Sequence, residues 1–585
     1  MLVARTCLRS GESVLVLHYS SIQQQLFQSQ EELAIRMQFD QILALLGDFG
    51  PYQRRIFFLI CLLSVPGAFH KLAQVFLGAG TDHWCAEPEW EDQDCMGWNL
   101  TTTECQLAKK NASIPRDERG EFKQCGRYNV TGVMFYPGLD TSNFTTEECM
   151  DGWVYDTSQY ESTIRMDFTL VCDRKTFSNV AQSVFFVGIL LGSVVFGSLA
   201  DWIGRTKTMY IAMCLWLAAS IAVAFSPNFA AYTIFRALGG AGSYGTFLPA
   251  YVLGTEFVGP SKRVIVGIVG QIFFSAGLMI LAGLAYFIRQ WRTLELVITA
   301  PILLFFLYIP IFPESARWLI NRGRHNQAEK IIRKVAKVNK KELPDVLFEE
   351  DEIKELKEKL EAERKPNALD LFKTPNIAFK TSNLMFNWCV NSLVYYGLSL
   401  SIPDLASDNY LAFFISGAIE IPAYILAMVA IEKLGRRLNL GSTMVIGGVA
   451  CVGTILIPAG TWQTAVAMIG KFCVSASFAI VYIYSAELFP TPLRTVGMGV
   501  CSMASRIGGI VSPLILLLDG VWQPLPLLLF GVPSILAGAL AFLLPETRGK
   551  ALPETVEDAE EFGKFRWMDQ YQFIHREKKD ESPVA

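Results

Sequence analysis

Asp201-Trp-Ile-Gly204-Arg205 is followed, 231 positions later, by Glu432-Lys-Leu-Gly435-Arg436-Arg437. The same offset carries Glu256 and Arg263, seven residues apart, onto Glu487 and Arg494. Pro313-Glu314 returns as Pro545-Glu546, slipped by one residue. Each copy of the acid-x-x-Gly-Arg turn follows an apolar run long enough to cross a membrane. An apolar bundle repeated head to tail is the pattern of a secondary transporter built from two related halves.

Composition points the same way. The 585 residues are 51% hydrophobic and 18% charged, with a mean hydropathy of +0.32, whereas a soluble protein carries about 25% charge. A helix needs about 20 apolar residues to cross ~30 Å of hydrocarbon. Twelve such runs lie near 56–79, 177–199, 208–225, 230–254, 265–288, 296–312, 380–400, 410–431, 440–457, 463–485, 496–518 and 525–544. The expected fold is an all-α membrane protein of twelve transmembrane helices in two pseudo-symmetric six-helix halves, 56–312 and 380–544. A cytosolic N-terminal extension (1–55), a central cytosolic loop (313–379) and a cytosolic tail (545–585) complete it. Residues 1–36 do not read as a signal peptide, because Val14–His18 is too short an apolar core and Gln23–Gln30 is polar. They are expected to be a disordered extension. A net charge of -4 argues against a nucleic-acid partner.

The loops sort by charge. Those after the second, fourth, eighth and tenth runs carry Arg205 and Lys207, Lys262 and Arg263, Lys433, Arg436 and Arg437, and Arg494. Those after the third, seventh, ninth and eleventh carry no Lys or Arg, and only Arg289 and Arg292 after the fifth break the pattern. The positive-inside rule puts both termini in the cytosol. The 80–176 loop then lies outside, where Cys85, Cys95, Cys105, Cys125, Cys149 and Cys172 suit three disulfides whose pairing the spacing leaves open. Every N-x-S/T sequon of the chain, at Asn99, Asn111, Asn129 and Asn143, falls in that loop and is expected to be glycosylated. No C-x2-C or Cys/His spacing suggests a metal, and no cofactor is expected. Asp351–Arg364 sets Ile353, Leu356 and Leu360 at helical spacing among alternating charges, as a surface helix does.

A glycine between two helices permits a tight turn, while the neighbouring acid and Arg can pair with groups at nearby helix ends. A cluster of this kind can hold one face of a transporter shut, and its recurrence at fixed spacing is more than a membrane anchor needs. The gating set is Asp201, Gly204, Arg205, Glu256, Arg263, Glu314 and Arg317, then Glu432, Gly435, Arg436, Glu487, Arg494 and Glu546.

Gly197-Ser-Leu-Ala-Asp201-Trp-Ile-Gly204-Arg205 and Pro313-Glu-Ser-Ala-Arg-Trp-Leu319 resemble signatures of the major facilitator superfamily. The Cys-bearing loop, Thr255-Glu-Phe-Val-Gly259 and Tyr484-Ser-Ala-Glu-Leu-Phe-Pro-Thr491 are similar to the organic cation/carnitine/organic anion transporter family. Gly47-Asp-Phe-Gly-Pro-Tyr-Gln53 and Ala68-Phe-His-Lys71 most resemble its arthropod-type organic cation transporters. The resemblance covers about 37–560. It implies a plasma-membrane carrier with a central cavity between the halves and alternating access.

A charge at the centre of a membrane helix costs about 2.5–3.5 kcal/mol, so each needs a reason. Lys71, Glu420, Lys471 and Arg506 lie inside the first, eighth, tenth and eleventh runs, with Arg236 nearer the outer end of the fourth. In the family the corresponding helices line the cavity. Relatives dedicated to simple cations carry Asp at the position of Arg506, while carnitine- and anion-type relatives resemble Ser502-Met-Ala-Ser-Arg506-Ile-Gly508. An Arg fork suits a carboxylate, and Lys471 adds a second positive charge. Trp388 and Tyr395, seven apart, share a helix face. With Phe247 and Phe274, aligned by the resemblance, they are candidates for an ammonium cage completed by Glu420. Gln271 and Asn391 are polar contacts beside it.

The expected function is transport of organic cations and zwitterions, carnitine-like solutes included. The expected partners are that small solute and the lipid bilayer, with room for a coupling ion and for a homo-oligomer formed through the outer loop. Glu420 or His70 is a candidate carrier of a coupling proton. An organic-anion exchanger is the first rival, and a receptor or scaffold with an inactive core is a rival of another class. With five His residues and no nucleophile–base pair or metal spacing, the chain does not read as an enzyme.

Overall fold

The structure, a computed structural model, describes residues 39–563 apart from 88–89, 91–94, 96–97, 99, 118–119, 142, 260–262, 309–310, 345–346, 348–366, 407 and 459. The extension 1–36, the 351–364 surface helix, Asn99 and the tail beyond 563 therefore lie outside the described residues.

Helices occupy all twelve apolar runs. In the first half they are α1 (Pro51–Leu72, continued by Gln74–Leu77), α2 (Phe177–Ile203), α3 (Arg205–Ala224), α4 (Phe229–Phe257), α5 (Arg263–Phe287) and α6 (Trp291–Phe305). The second half holds α7 (Pro375–Ser401), α8 (Asn409–Ala418 and Glu420–Leu434), α9 (Arg436–Ile455), α10 (Thr461–Leu488), α11 (Arg494–Leu516) and α12 (Leu525–Ala541). Among the described residues, nine of these segments are long and apolar enough to cross a bilayer. The remaining three are α4, α7 and α12: α4 is rich in Gly, α7 is rich in Asn and Ser, and α12 has only 17 residues.

Duplicated sequence has folded into duplicated packing. In the first half α4 lies against α3 and α2, and α1 against α5; in the second, α10 lies against α9 and α8, and α7 against α11. The halves meet where α2 packs on α11 and α5 on α8. Lipid offers helices no hydrophobic drive to associate, so close backbone approach must supply the contact. A Cβ on Gly188 of α2 would come within 2.0 Å of the Ala237 carbonyl oxygen, and one on Gly240 of α4 within 2.5 Å of the Phe185 carbonyl oxygen. Larger residues there would force α2 and α4 apart.

The 80–176 loop is a small domain of short helices and two two-stranded sheets, β1 (His83–Cys85) with β4 (Trp153–Tyr155) and β2 (Arg127–Tyr128) with β3 (Thr146–Glu147). Its disulfides join Cys85–Cys149, Cys95–Cys105 and Cys125–Cys172. Among the described residues, the grouping that could present three metal ligands is His83 with Cys125 and Cys172, but both sulfurs are spent on the disulfide. Arg127 binds Asp151 at 2.7 Å, Glu147 at 2.8 Å and Glu87 at 3.4 Å. Burial works against its charge, yet these three carboxylates outweigh it and hold the guanidinium above its ordinary pKa. The side chains of Asn111, Asn129 and Asn143 are exposed.

This domain also explains the two arginines that break the loop-charge pattern. Arg292 pairs with Asp167 at 3.2 Å and donates to the Ala224 carbonyl at 2.8 Å. Arg289 donates to the Ser158 carbonyl at 3.1 Å. Both charges are used to tie the 80–176 domain to the α5–α6 corner.

Candidate transport cavity and gates

The repeated motif builds the same device twice. Gly204 and Gly435 have φ of +110° and +89°, and a Cβ on either would meet a carboxylate oxygen, of Glu314 at 2.3 Å or Glu546 at 2.5 Å. Glycine is required both by conformation and by space. The two carboxylates sit there because each caps a helix whose first N–H groups have no intrahelical partner. Glu314 accepts from the Arg205 N–H at 2.8 Å, and Glu546 from the N–H groups of Arg436 at 2.9 Å and Arg437 at 3.0 Å. Burial works to raise the Glu546 carboxyl, but backbone N–H groups of Arg436, Arg548, Arg437 and Thr547 together hold it below the ordinary carboxylate range. The cap is therefore present at neutral pH and is lost only as pH falls through that lowered value.

The arginines reach across to the helices that follow. Arg205 meets Asp201 at 3.0 Å and Glu256 at 3.5 Å, while Arg436 grips Glu487 with Nε at 2.9 Å and Nη2 at 2.8 Å. Glu432 and Arg317 are exposed, and Arg494 opens α11 as Arg263 opens α5; the Arg263 side chain lies outside the described residues. Each ion cluster is contained within one half. Gly204→Ala and Gly435→Ala should each cost about 1–3 kcal/mol of backbone strain. A fall of about 1–2 °C in the melting temperature of purified protein is the expected readout.

Between the halves lies a cleft enclosing about 1330 Å³, part of it open to solvent. Lys71, Phe247, Gln271, Phe274, Tyr395 and Arg506 line it. Lys71 Nζ lies 5.1 Å from the Phe274 ring centre and 5.7 Å from that of Phe247. The Arg506 guanidinium stacks 4.3 Å over Tyr244 and donates to the Ser502 carbonyl and, at 2.6 Å, to the Ser502 hydroxyl. Among the described residues, neither cation makes an ion pair.

The other four expected residues stand behind this wall. Glu420 and Lys471 form an ion pair of 2.8 Å with both side chains fully buried. Glu420 also accepts from Ser275 at 2.6 Å, Tyr395 at 2.7 Å and Tyr424 at 3.4 Å. Lys471 donates to Ser399 at 2.5 Å and lies 3.4 Å over the Tyr395 ring. Tyr395 thus turns a ring face and its hydroxyl to the pair while also lining the cleft. Trp388 turns its indole N–H to Ser485 at 2.9 Å, and Asn391 is buried against Val474 and Ser477 of α10.

Sequence reasoning missed the tyrosines Tyr244, Tyr396, Tyr424 and Tyr482, which line the cleft with Phe186 and Phe478. The spacing of Tyr244, Phe247 and Tyr251, and of Phe478 and Tyr482, places each set on one helix face. That signal was available in the sequence.

The cleft has one closed end. Phe76 of α1 stacks on Tyr410 of α8 at 5.5 Å with rings 8° apart, and meets Phe413 at 5.0 Å. Tyr160 of the 80–176 domain and Tyr286 of α5 crowd the same Tyr410 ring at 5.6 and 5.7 Å, and its hydroxyl donates to the Gln159 carbonyl at 3.1 Å. The lining instead follows α1 down to Phe57, toward the end that carries the repeated motifs.

The family model described as "Sugar (and other) transporter" matches residues 128–559. The "Organic cation transporter protein" of Drosophila melanogaster is 43% identical over 90% of this chain and 95% of its own. "Solute carrier family 22 member 3" of Mus musculus is 38% identical over 90% and 96%, and the human "Organic cation/carnitine transporter 2" is 37% identical over 89% and 93%. The xylose transporter XylE from E. coli in a partially occluded inward-open conformation shares the fold, with TM-score 0.55 at 17% identity over 86% of this chain and all of that one. With its two packed halves, paired helix-end ion clusters and this likeness over nearly its whole length, the chain belongs to the sugar-and-other transporter family of the major facilitator superfamily, among the organic cation and carnitine transporters.

Proposed function

We propose that this protein carries organic cations and zwitterions of the carnitine kind across the plasma membrane by alternating access, through twelve spans with both termini in the cytosol. One observation carries the zwitterion part. Among the described residues the charged side chains on the cavity wall, Lys71 and Arg506, are cationic, and Glu420, bonded to the lining residues Tyr395 and Tyr424, is already paired with Lys471. A carboxylate on the Arg506 fork, supported by Lys71, answers that imbalance. Tyr396, Phe478 and Tyr482 on the same wall are the aromatic groups that would attract a quaternary ammonium. Glu420 and Lys471 hold the wall from behind. The aromatic seal around Tyr410 closes the outer end, so the conformation described faces the cytosol.

Uptake of labelled carnitine and of tetraethylammonium by cells expressing the protein tests this reading. Carnitine should be taken up in preference, and Lys71→Gln should raise the KM for carnitine by about tenfold, the loss of one charge-assisted contact. Uptake of tetraethylammonium alone, indifferent to Lys71, would overturn the assignment of the carboxylate. The same pair of cavity cations favours an organic-anion exchanger as the second reading, which trans-stimulation by an internal dicarboxylate without carnitine uptake would support.

A further inference from the structure

We propose that the cytosolic end of the first half carries a docking surface for the anionic lipid headgroups of the inner leaflet, built on the helix His325–Asn339; the leaflet assignment rests on the proposed function, which places this end in the cytosol. Residues 322–341 hold eight Lys and Arg against one acid, Glu329, in a chain whose net charge is -4. The helix buries Ala328, Ile332, Val335 and Ala336, one stripe at helical spacing, and they join a core with Ile42, Leu43, Tyr52 and Ile56. Lys330, Arg333, Lys334 and Lys337 recur at intervals of three and four along the opposite side, and all four are exposed. Like charges at that spacing repel, and a solvated helix face ordinarily interleaves acids to relieve the repulsion. Glu329, paired with Arg333 at 2.6 Å, is the single acid in this helix. The stripe therefore gains by meeting a surface of fixed negative charge.

Its fastenings set the helix beside the membrane surface. At one end Asn339 accepts from the Tyr52 N–H at 3.0 Å and donates to the Leu46 carbonyl at 3.0 Å and the Gln53 side chain at 2.7 Å. This ties the helix to the first turn of α1, where Arg54 and Arg55 are exposed. Ahead of the other end, Arg322 donates to the Asp201 and Trp202 carbonyls at 2.8 and 3.3 Å, in the last turn of α2. Trp202 is itself 71% exposed, and an indole presented at the end of a membrane helix marks the headgroup level. The basic face stands ~10–12 Å from these fastenings, one helix diameter. That matches the ~8–10 Å over which a charged surface is felt at physiological salt.

Anionic lipids of the inner leaflet draw a juxtamembrane basic segment by about fivefold in affinity per Lys or Arg. An acidic protein would answer the same stripe, but the exposed cations continue from the helix onto Arg54 and Arg55 of α1 and Lys207 of α3. Those positions are the ends of membrane spans, where the neighbour is bilayer. This continuity singles out lipid as the occupant. Asn339 also holds the first turn of α1, the helix that lines the cleft from Phe57 to Lys71. Lipid on the stripe thereby steadies one wall of the transport path.

Purified full-length protein in phosphatidylcholine nanodiscs, doped with dansyl-phosphatidylserine or dansyl-phosphatidylcholine, provides the test. Energy transfer from tryptophan is the readout, since Trp202 and Trp318 both stand beside Arg322. Transfer to the serine probe should exceed transfer to the choline probe. Its half-saturation should rise about 100-fold in Lys330→Glu/Lys334→Glu/Lys337→Glu, and severalfold between about 0.1 and 0.5 M salt. The thermal midpoint of that variant in pure phosphatidylcholine discs should match the wild type. Equal transfer to both probes in the wild type, or a preference that survives the triple reversal, overturns the surface. The acids of 349–363 lie outside the described residues. If the preference appears only once Glu349, Glu350 and Glu352 are changed to Gln, the chain's own acids hold the stripe, and the proposal is equally overturned. Nanodiscs offer both leaflets alike, so this binding can fail separately from the proposed topology. A Lys340→Cys variant in intact cells should stay unlabelled by an impermeant maleimide beyond the wild-type background; labelling overturns the inner-leaflet assignment.

Discussion

Arg506→Asp should lower kcat/KM for carnitine by about 30- to 150-fold, the equivalent of about 2–3 kcal/mol for a charge-assisted contact that is lost and replaced by repulsion. Uptake of tetraethylammonium by the same variant should rise, because the cavity would then present one acid and one cation where the native wall presents two cations. Three features make Arg506 the right place for so large an effect. It lies in the cleft yet is 9% exposed, so its charge is poorly screened. Its guanidinium is oriented by Tyr244 on one face and Ser502 on one edge, so little ordering remains to be done when a carboxylate arrives. Among the described residues no acid competes for it. Arg506→Lys separates charge from geometry, and a loss of about tenfold is expected from the fork alone. Radiotracer uptake at matched surface expression measures all three. If Arg506→Asp leaves carnitine uptake unchanged, the carboxylate binds elsewhere.

The helices were legible to within about two turns, the sixth being the furthest off with 296–312 read against Trp291–Phe305, since hydrophobic length and the glycine turns set where most begin and end. So were the helix-end ion pairs: the offset that links Arg205 with Glu256 and Arg436 with Glu487 in sequence links the same pairs in space. The reason is that a duplicated fold must place duplicated spacings at equivalent points. The cavity was less legible. Sequence locates a charge along a helix but not around it, and one turn decides whether a side chain meets solute or a neighbouring helix. Trp388 and Tyr395 share a face, yet Trp388 is spent on Ser485 while Tyr395 lines the cleft. No spacing announces that Glu420 will choose Lys471, 51 positions on, or that Glu295 will lie against His70 from the far end of its half. Those pairings depend on which helices the bundle brings side by side, and they occur outside the repeat. Positions 231 before Glu420, Lys471 and Arg506 are Ile189, Gly240 and Ser275, so the helix-end ion clusters are duplicated and the buried charges are not.

Lys471→Met alone should destabilise the protein by about 3–5 kcal/mol, because it strands the Glu420 carboxylate without its cation in a fully buried site. Glu420→Gln should do comparable damage by stranding the ammonium. The double variant Glu420→Gln/Lys471→Met should recover at least about 2 kcal/mol of the summed loss, since removing both charges removes the desolvation cost of each. Ser275, Tyr395 and Tyr424 can still hydrogen-bond the glutamine. A thermal double-mutant cycle in detergent or nanodiscs measures the coupling. Transport then separates the two roles that a buried cation beside a cavity can have. If the pair only props the wall, stability and carnitine uptake should return together in the double variant, with KM within about twofold of wild type. If Lys471 leaves Glu420 to meet the solute's carboxylate, the double variant should be stable and still fail to bind carnitine. The saturation of Glu420 by four partners and the placement of Tyr395 between the pair and the cleft favour the first outcome, because opening that site to solute would break every one of those contacts at once.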